Sequence, residues 1–172
     1  RITFHMWQQW LLGRQLTNAG QIIPLMQDLP IGFSPDGADA WTWQDVLAAE
    51  MTVGAPPDLF NATGQDWGLP PFIPHKLRAT GYQPFIETIR SIICRAGGLR
   101  IDHVMGLFRL WWVPRGSPPK DGAFVRYAAE ELLAILAVES TRAQAIVVGE
   151  DLGTVEDGVR ETLAEQNVLS YR

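Results

Sequence analysis

Gly97-Gly98-Leu99-Arg100-Ile101-Asp102-His103-Val104-Met105-Gly106 is the stretch that decides the fold. Leu99, Ile101 and Val104 mark a short buried strand, and Gly97-Gly98 is the turn that feeds it. Arg100, Asp102 and His103 crowd its C-terminal end. A parallel strand covered on both faces tolerates polar groups only where it runs out. Arg100 and Asp102 are two residues apart, which directs them to one side of the strand. An arginine beside an aspartate favours the ionised carboxylate that a nucleophile or a metal ligand requires.

A second stretch repeats the pattern. Ala145-Ile146-Val147-Val148-Gly149-Glu150-Asp151-Leu152-Gly153 is an apolar strand ending in carboxylates and a glycine. Glu150 stands 48 positions after Asp102, room for one long loop, one helix and one strand. Strand-end carboxylates from neighbouring βα units meet at one rim. In α/β barrels that C-terminal rim carries the catalytic groups. A carboxylate nucleophile paired with a carboxylic acid is the equipment of glycoside chemistry.

Composition narrows the partners. The chain has 172 residues, enough for one core of ordinary domain size. A net charge of −5 argues against a nucleic-acid footprint. No apolar run has the length of a membrane span, and no secretory leader is recognisable. The lone Cys94 cannot form an internal disulfide, which favours a cytoplasmic location. Seven tryptophans serve equally well as core filler or as platforms for sugar rings. The chain opens at Arg1 inside a helical pattern and closes at Ser170-Tyr171-Arg172, so a piece of a longer protein is expected.

Residues 2 to 20 read as a helix with Phe4, Trp7, Trp10, Leu11 and Leu12 near helical spacing, ended by Asn18-Ala19-Gly20. Ile22 to Met26 is a candidate strand despite Pro24, followed by Asp28-Leu29-Pro30. Residues 30 to 74 read as a long irregular stretch of the functional kind, too rich in tryptophan for disorder. Within it Asp36, Asp58 and Asp66 have the ordinary reading of turn-capping aspartates. Helices are expected over Tyr82 to Ala96 and Glu130 to Ala137, and a loop over Pro114 to Gly122. Another helix should start near Thr154, as N-cap with Asp157 as a capping partner, and run to about Glu165. The order predicts an α/β protein with about three parallel strands and crossover helices.

These residues resemble a known family. Gly98-Leu99-Arg100-Ile101-Asp102-His103 followed by Gly149-Glu150-Asp151-Leu152-Gly153 is similar to the amylomaltases, the 4-alpha-glucanotransferases of glycoside hydrolase family 77. Asp36-Gly37-Ala38-Asp39-Ala40-Trp41, Pro56-Pro57-Asp58 and Gly64-Gln65-Asp66-Trp67-Gly68 resemble that family's loops in the same order, so the likeness covers nearly the whole chain.

The resemblance implies that residues 1–172 are part of a catalytic (β/α)8 TIM barrel of the alpha-amylase clan, with a long inserted loop region and with earlier and later strands absent. It implies transfer of an α-1,4-glucan segment to a sugar 4-hydroxyl with retention, using no cofactor and no metal. Donor and acceptor would be maltooligosaccharides. Asp102 would be the nucleophile and Glu150 the acid and base, their carboxyls about 5–5.5 Å apart. Arg100 would hold Asp102 ionised and oriented. His103 would hydrogen-bond the donor sugar. Trp67 and Asp66, in a loop over the cleft, would be a sugar platform and a hydroxyl acceptor, and Asp36 and Asp58 would belong to the binding loops. Asp151 reads as a supporting or capping carboxylate rather than a catalyst. The family's third catalytic aspartate lies on a His-Asp strand end after the glutamate, and no such motif follows Glu150.

Three other readings stand beside this one: a hydrolase of the same clan, an inactive glucan-binding fragment, and a metal site on Asp102, His103 and Glu150. The paired histidines that a zinc site often shows are absent near this motif, and no Walker-type phosphate loop is present.

Overall fold

The computed structural model describes residues 1–153 and 155–171, the last by its backbone alone. Two four-stranded sheets organise them. The first is parallel, in the order β1 (Met26–Leu29), β4 (Gly98–Ile101), β7 (Ile146–Glu150), β8 (Leu169–Tyr171). The second is antiparallel, in the order β3 (Gln65–Leu69), β2 (Met51–Ala55), β5 (Arg109–Pro114), β6 (Ala123–Arg126).

Helices connect the parallel strands, as parallel pairing requires. They are α4 (Gln83–Ile93) before β4, α5 (Ala129–Ala143) before β7 and α6 (Val159–Glu165) before β8. The main core lies between these helices and the sheet. Ile89 and Ile93 of α4, Leu132, Leu133 and Leu136 of α5, and Val159 and Leu163 of α6 pack with Leu99, Ile101 and Val147. Leu99 and Ile89 are fully enclosed, a burial worth about 1.5–3 kcal/mol for each such side chain. Charge pins this layer. Arg90 of α4 grips the buried Glu139 of α5 with two bonds of 2.7 and 2.8 Å, and holds its carboxyl below the usual carboxylate range.

The antiparallel sheet has its own small core of Val53, Leu110 and Trp112. Tyr127 packs against both cores and donates its hydroxyl to the Phe72 carbonyl at 2.7 Å. One sheet therefore rides on the other.

Several expectations need correction. The apolar run Ile22 to Met26 is not the strand. β1 starts at Met26, because Pro24 supplies no backbone donor, and Ile22 and Ile23 are exposed. Residues 30 to 74 are not irregular: they hold α2 (Ala38–Thr42), β2, β3 and the start of α3 (Pro74–Ala79). The parallel strands number four among the described residues, not three. The helix expected from Thr154 starts at Val159, behind a Gly158 with positive φ. The capping role given to Thr154 lies outside the described residues. The helix over residues 2 to 20 is present as α1 (Ile2–Gly20). No helix among the described residues is long and apolar enough to cross a membrane.

Candidate active site

Register builds the site. Asp28 pairs with Arg100, and Arg100 with Val148, across β1, β4 and β7. Side chains alternate along a strand, so Asp102 and Glu150, two residues further on, share the face of Asp28 and Arg100. The opposite face carries Leu99, Ile101 and Val147 into the helical core.

Arg100 ties three strand ends together. Its Nη1 reaches Oδ1 of Asp28 at 2.6 Å. Its Nη2 lies 3.1 Å from Oδ1 of Asp102 and 3.3 Å from Oε1 of Glu150. Both carboxylate oxygens touch one nitrogen, so their separation cannot exceed the sum of those two distances. The fork shape of guanidinium makes this possible, since several donors lie in one plane. The Arg100 pKa is raised, chiefly by the bond to Asp28, with burial opposing and Asp102 and Glu150 adding to the rise. One cation thus faces three carboxyl groups.

A second link crosses the same gap. The backbone N–H of His103 donates to Oε2 of Glu150 at 2.9 Å. His103 adopts the left-handed region, with φ of 48°, which turns the chain sharply after Asp102. The following turn, Val104–Leu107, lies against Gly149. A Cβ at residue 149 would sit 2.9 Å from Cγ2 of Val104, so only glycine allows this approach.

The His103 ring meets Trp67 edge to face, with centroids 5.7 Å apart. Burial pushes the His103 pKa below its ordinary value, and the charge on Asp102 works the other way. Trp67 and Asp66 are not on a loop. They stand on β3, so the antiparallel sheet presents Trp67 to the strand-end site. Trp67 donates its Nε1–H to Gln65 at 3.0 Å. Asp66 accepts the Gly68 N–H at 2.8 Å, and Asp58 accepts those of Phe60 and Asn61 at 2.8 and 2.6 Å. Both aspartates thus shape their own turns. Asp36 stands exposed in the turn before α2, its N–H donated to Ser34 Oγ at 3.4 Å. A cavity of about 310 Å³ runs from Asp102 and His103 between Phe33, Phe72 and Leu107, away from the Arg100–Glu150 contact.

Asp28 is the site residue the sequence did not reveal. Its signal was a carboxylate at the end of an apolar run before Pro30, and only strand pairing showed that it faces Arg100.

Fold and site define an α/β protein with an acidic site at the C-terminal ends of parallel strands. The family model described as 4-alpha-glucanotransferase, glycoside hydrolase family 77, matches residues 1–172, and the chain belongs to that family. It is 49% identical over 175 residues to a 4-alpha-glucanotransferase of Mycobacterium tuberculosis, covering 98% of this chain and 24% of the relative. With a 4-alpha-glucanotransferase of Haemophilus influenzae the identity is 44% over 178 residues, covering 99% of this chain and 26% of the relative. The crystal structure of amylomaltase from Corynebacterium glutamicum superposes with a TM-score of 0.93 at 42% identity, over 98% of this chain and 25% of that one. The chain spans about a quarter of the length of these relatives.

Proposed function

We propose that the protein carrying this chain is a 4-alpha-glucanotransferase, and that the four parallel strands are an arc of a (β/α)8 barrel with the acidic cluster on its inner rim. Sequential strand order with helices on the outer face supports that arc. The observation that carries the activity is the single Arg100 nitrogen touching both Asp102 and Glu150. The shared contact keeps the two carboxyls close together, which supports the retaining arrangement, with a separation of about 5–5.5 Å, over the wider gap that admits a water between them.

The roles are those that the family resemblance implies, and the shared face of Asp102 and Glu150 with their common Arg100 contact supports them. Asp102 attacks the anomeric carbon of an α-1,4-glucan and forms a glycosyl ester. The bond to the leaving 4-oxygen breaks, and Glu150 gives that oxygen its proton. In the second half the 4-hydroxyl of an acceptor glucan attacks the same carbon. Glu150 takes the hydroxyl proton, and the bond to Asp102 breaks. The transition states carry positive charge on the ring. An excess of carboxylate over guanidinium, fixed before the substrate arrives, stabilises that charge. Arg100 orients both carboxyls. The neutral His103 ring and the Trp67 face bind the donor sugar, and Asp66 on β3, with Asp58 and Asp36 in their turns, borders the glucan path. The lone Cys94, a free thiol on the surface, supports a reducing, cytoplasmic setting.

The test is incubation of the full-length protein with maltotriose, its products separated by chromatography. A ladder of longer maltooligosaccharides with free glucose is expected. Glucose and maltose alone would overturn transfer in favour of hydrolysis.

A further inference from the structure

Among the described residues, Asp151 is the one buried carboxylate next to the site that the proposed mechanism leaves unused. It is only 2% exposed, although it directly follows Glu150 at the end of β7. Strand alternation turns it away from the Glu150 side chain. Two of its partners, Arg160 and Ser170, belong to the next βα unit. Arg160 of α6 donates Nε–H to Oδ2 at 2.6 Å and Nη2–H to the Asp151 carbonyl at 3.1 Å. Ser170 of β8 donates its hydroxyl to Oδ1 at 2.9 Å. Side chain and backbone of residue 151 are thus both clamped, and from two different elements.

A strand end needs such a clamp. Glu150 is the last residue of β7 and the last that its ladder with β8 pairs, so Asp151 is the first residue beyond the ladder. From the front it is held by Arg100 and the His103 N–H. Those contacts come from β4 and the turn after it and hold the side chain, while the backbone of Glu150 pairs on its other side with Tyr171 of β8. A proton donor that is also the returning base must meet two oxygens in turn at hydrogen-bond distance, so small errors in placement are costly. Docking of α6 alone would need no carboxylate at this position, since Val159 and Leu163 already seat that helix in the core.

We propose that Asp151, with Arg160, is a positioning residue for the acid and base Glu150; this rests on the glucanotransferase reading. Its signature is loss confined to proton transfer. Asp151→Asn and Arg160→Lys, made in the full-length protein, should lower kcat on maltotriose about 10- to 100-fold with KM within about twofold, and should narrow the pH profile on its acid-dependent side.

The decisive comparison uses α-maltosyl fluoride with sodium azide. Fluoride leaves without a donated proton, and azide attacks without losing one, giving maltosyl azide and fluoride ion. On this pair both variants should run within about threefold of the parent, because neither step calls on Glu150. Equal loss on both substrate pairs would overturn the proposal and leave Asp151 a structural residue. Glu150→Gln is the control. If it too fails to separate the two assays, the acid and base assignment itself is wrong. If it separates them and the Asp151 and Arg160 variants do not, only the positioning role falls. Should Asp151→Asn not fold, Arg160→Lys, altered on a half-exposed side chain, carries the same comparison.

Discussion

The backbone N–H of His103 donates to Oε2 of Glu150 at 2.9 Å. The residue that follows one strand-end carboxylate therefore holds the other, and it does so through a group no substitution but proline removes. This separates the two jobs of His103. Its amide fixes Glu150, while its ring faces Trp67.

His103→Asn tests that separation. Asparagine tolerates the left-handed backbone found here, so the turn and the amide bond to Glu150 should survive. The ring is lost, and with it the hydrogen bond to the donor sugar that the proposed function gives it. KM for maltotriose should rise about fivefold, the equivalent of about 1 kcal/mol, with the melting temperature nearly unchanged. An unchanged KM would show that the ring does not touch the sugar.

Arg100→Lys should be severe although it keeps the charge. A lysine ammonium is a point donor and cannot fork between Asp28 on one side and Asp102 and Glu150 on the other. Asp102 and Glu150 would drift apart. A fall in kcat on the order of 100-fold is expected, read by steady-state kinetics beside an unaltered circular dichroism spectrum. Near-parental kcat would mean that the guanidinium bridge does not set the geometry of the pair.

How much of this was legible beforehand follows physical range. α1, α4 and α5 are local patterns, and the charged ends of β4 and β7 follow apolar runs, so all could be read in line. The antiparallel sheet could not. β2 is five residues long, interrupted by Gly54, and pairs with β5 some sixty positions away. Trp67 for that reason looked like a loop residue between glycines rather than a strand residue aimed at His103. Asp28 stayed hidden because nothing in Met26-Gln27-Asp28-Leu29 says which strand will lie beside it.

Gly149→Ala should damage the site through packing alone. The new methyl would press on Val104, which is fully buried, with its three carbons beyond Cα all within 3.1 Å of the position the Cβ would take. Overpacking of this kind costs about 1–3 kcal/mol. It would also lift the turn that joins His103 to Glu150. The melting temperature should fall, and activity should fall further than stability alone explains. Adding Val104→Ala should restore part of both, a coupling that a double-mutant cycle reads directly. Strict additivity would place the strain elsewhere.

The pH response of His103 has a definite sign. Burial is the larger influence and lowers its pKa, while the negative Asp102 raises it. The folded protein therefore binds this proton less readily than the unfolded chain, whose histidine titrates near 6.5. The stability tied to the neutral ring is complete above about pH 6.5 and is lost as the pH falls through the lower, folded value. Exchange of the His103 ring C2 hydrogen, followed by mass spectrometry across pH 4 to 8, should give a midpoint below that of the unfolded peptide. Asp102→Asn removes the one opposing influence, so the midpoint should fall further. The parent should lose thermal stability relative to His103→Gln as the pH drops below about 6.5. A midpoint above 6.5, or one that rises when Asp102 is neutralised, would reverse the order of the two forces on the ring and with it the neutral donor-site imidazole.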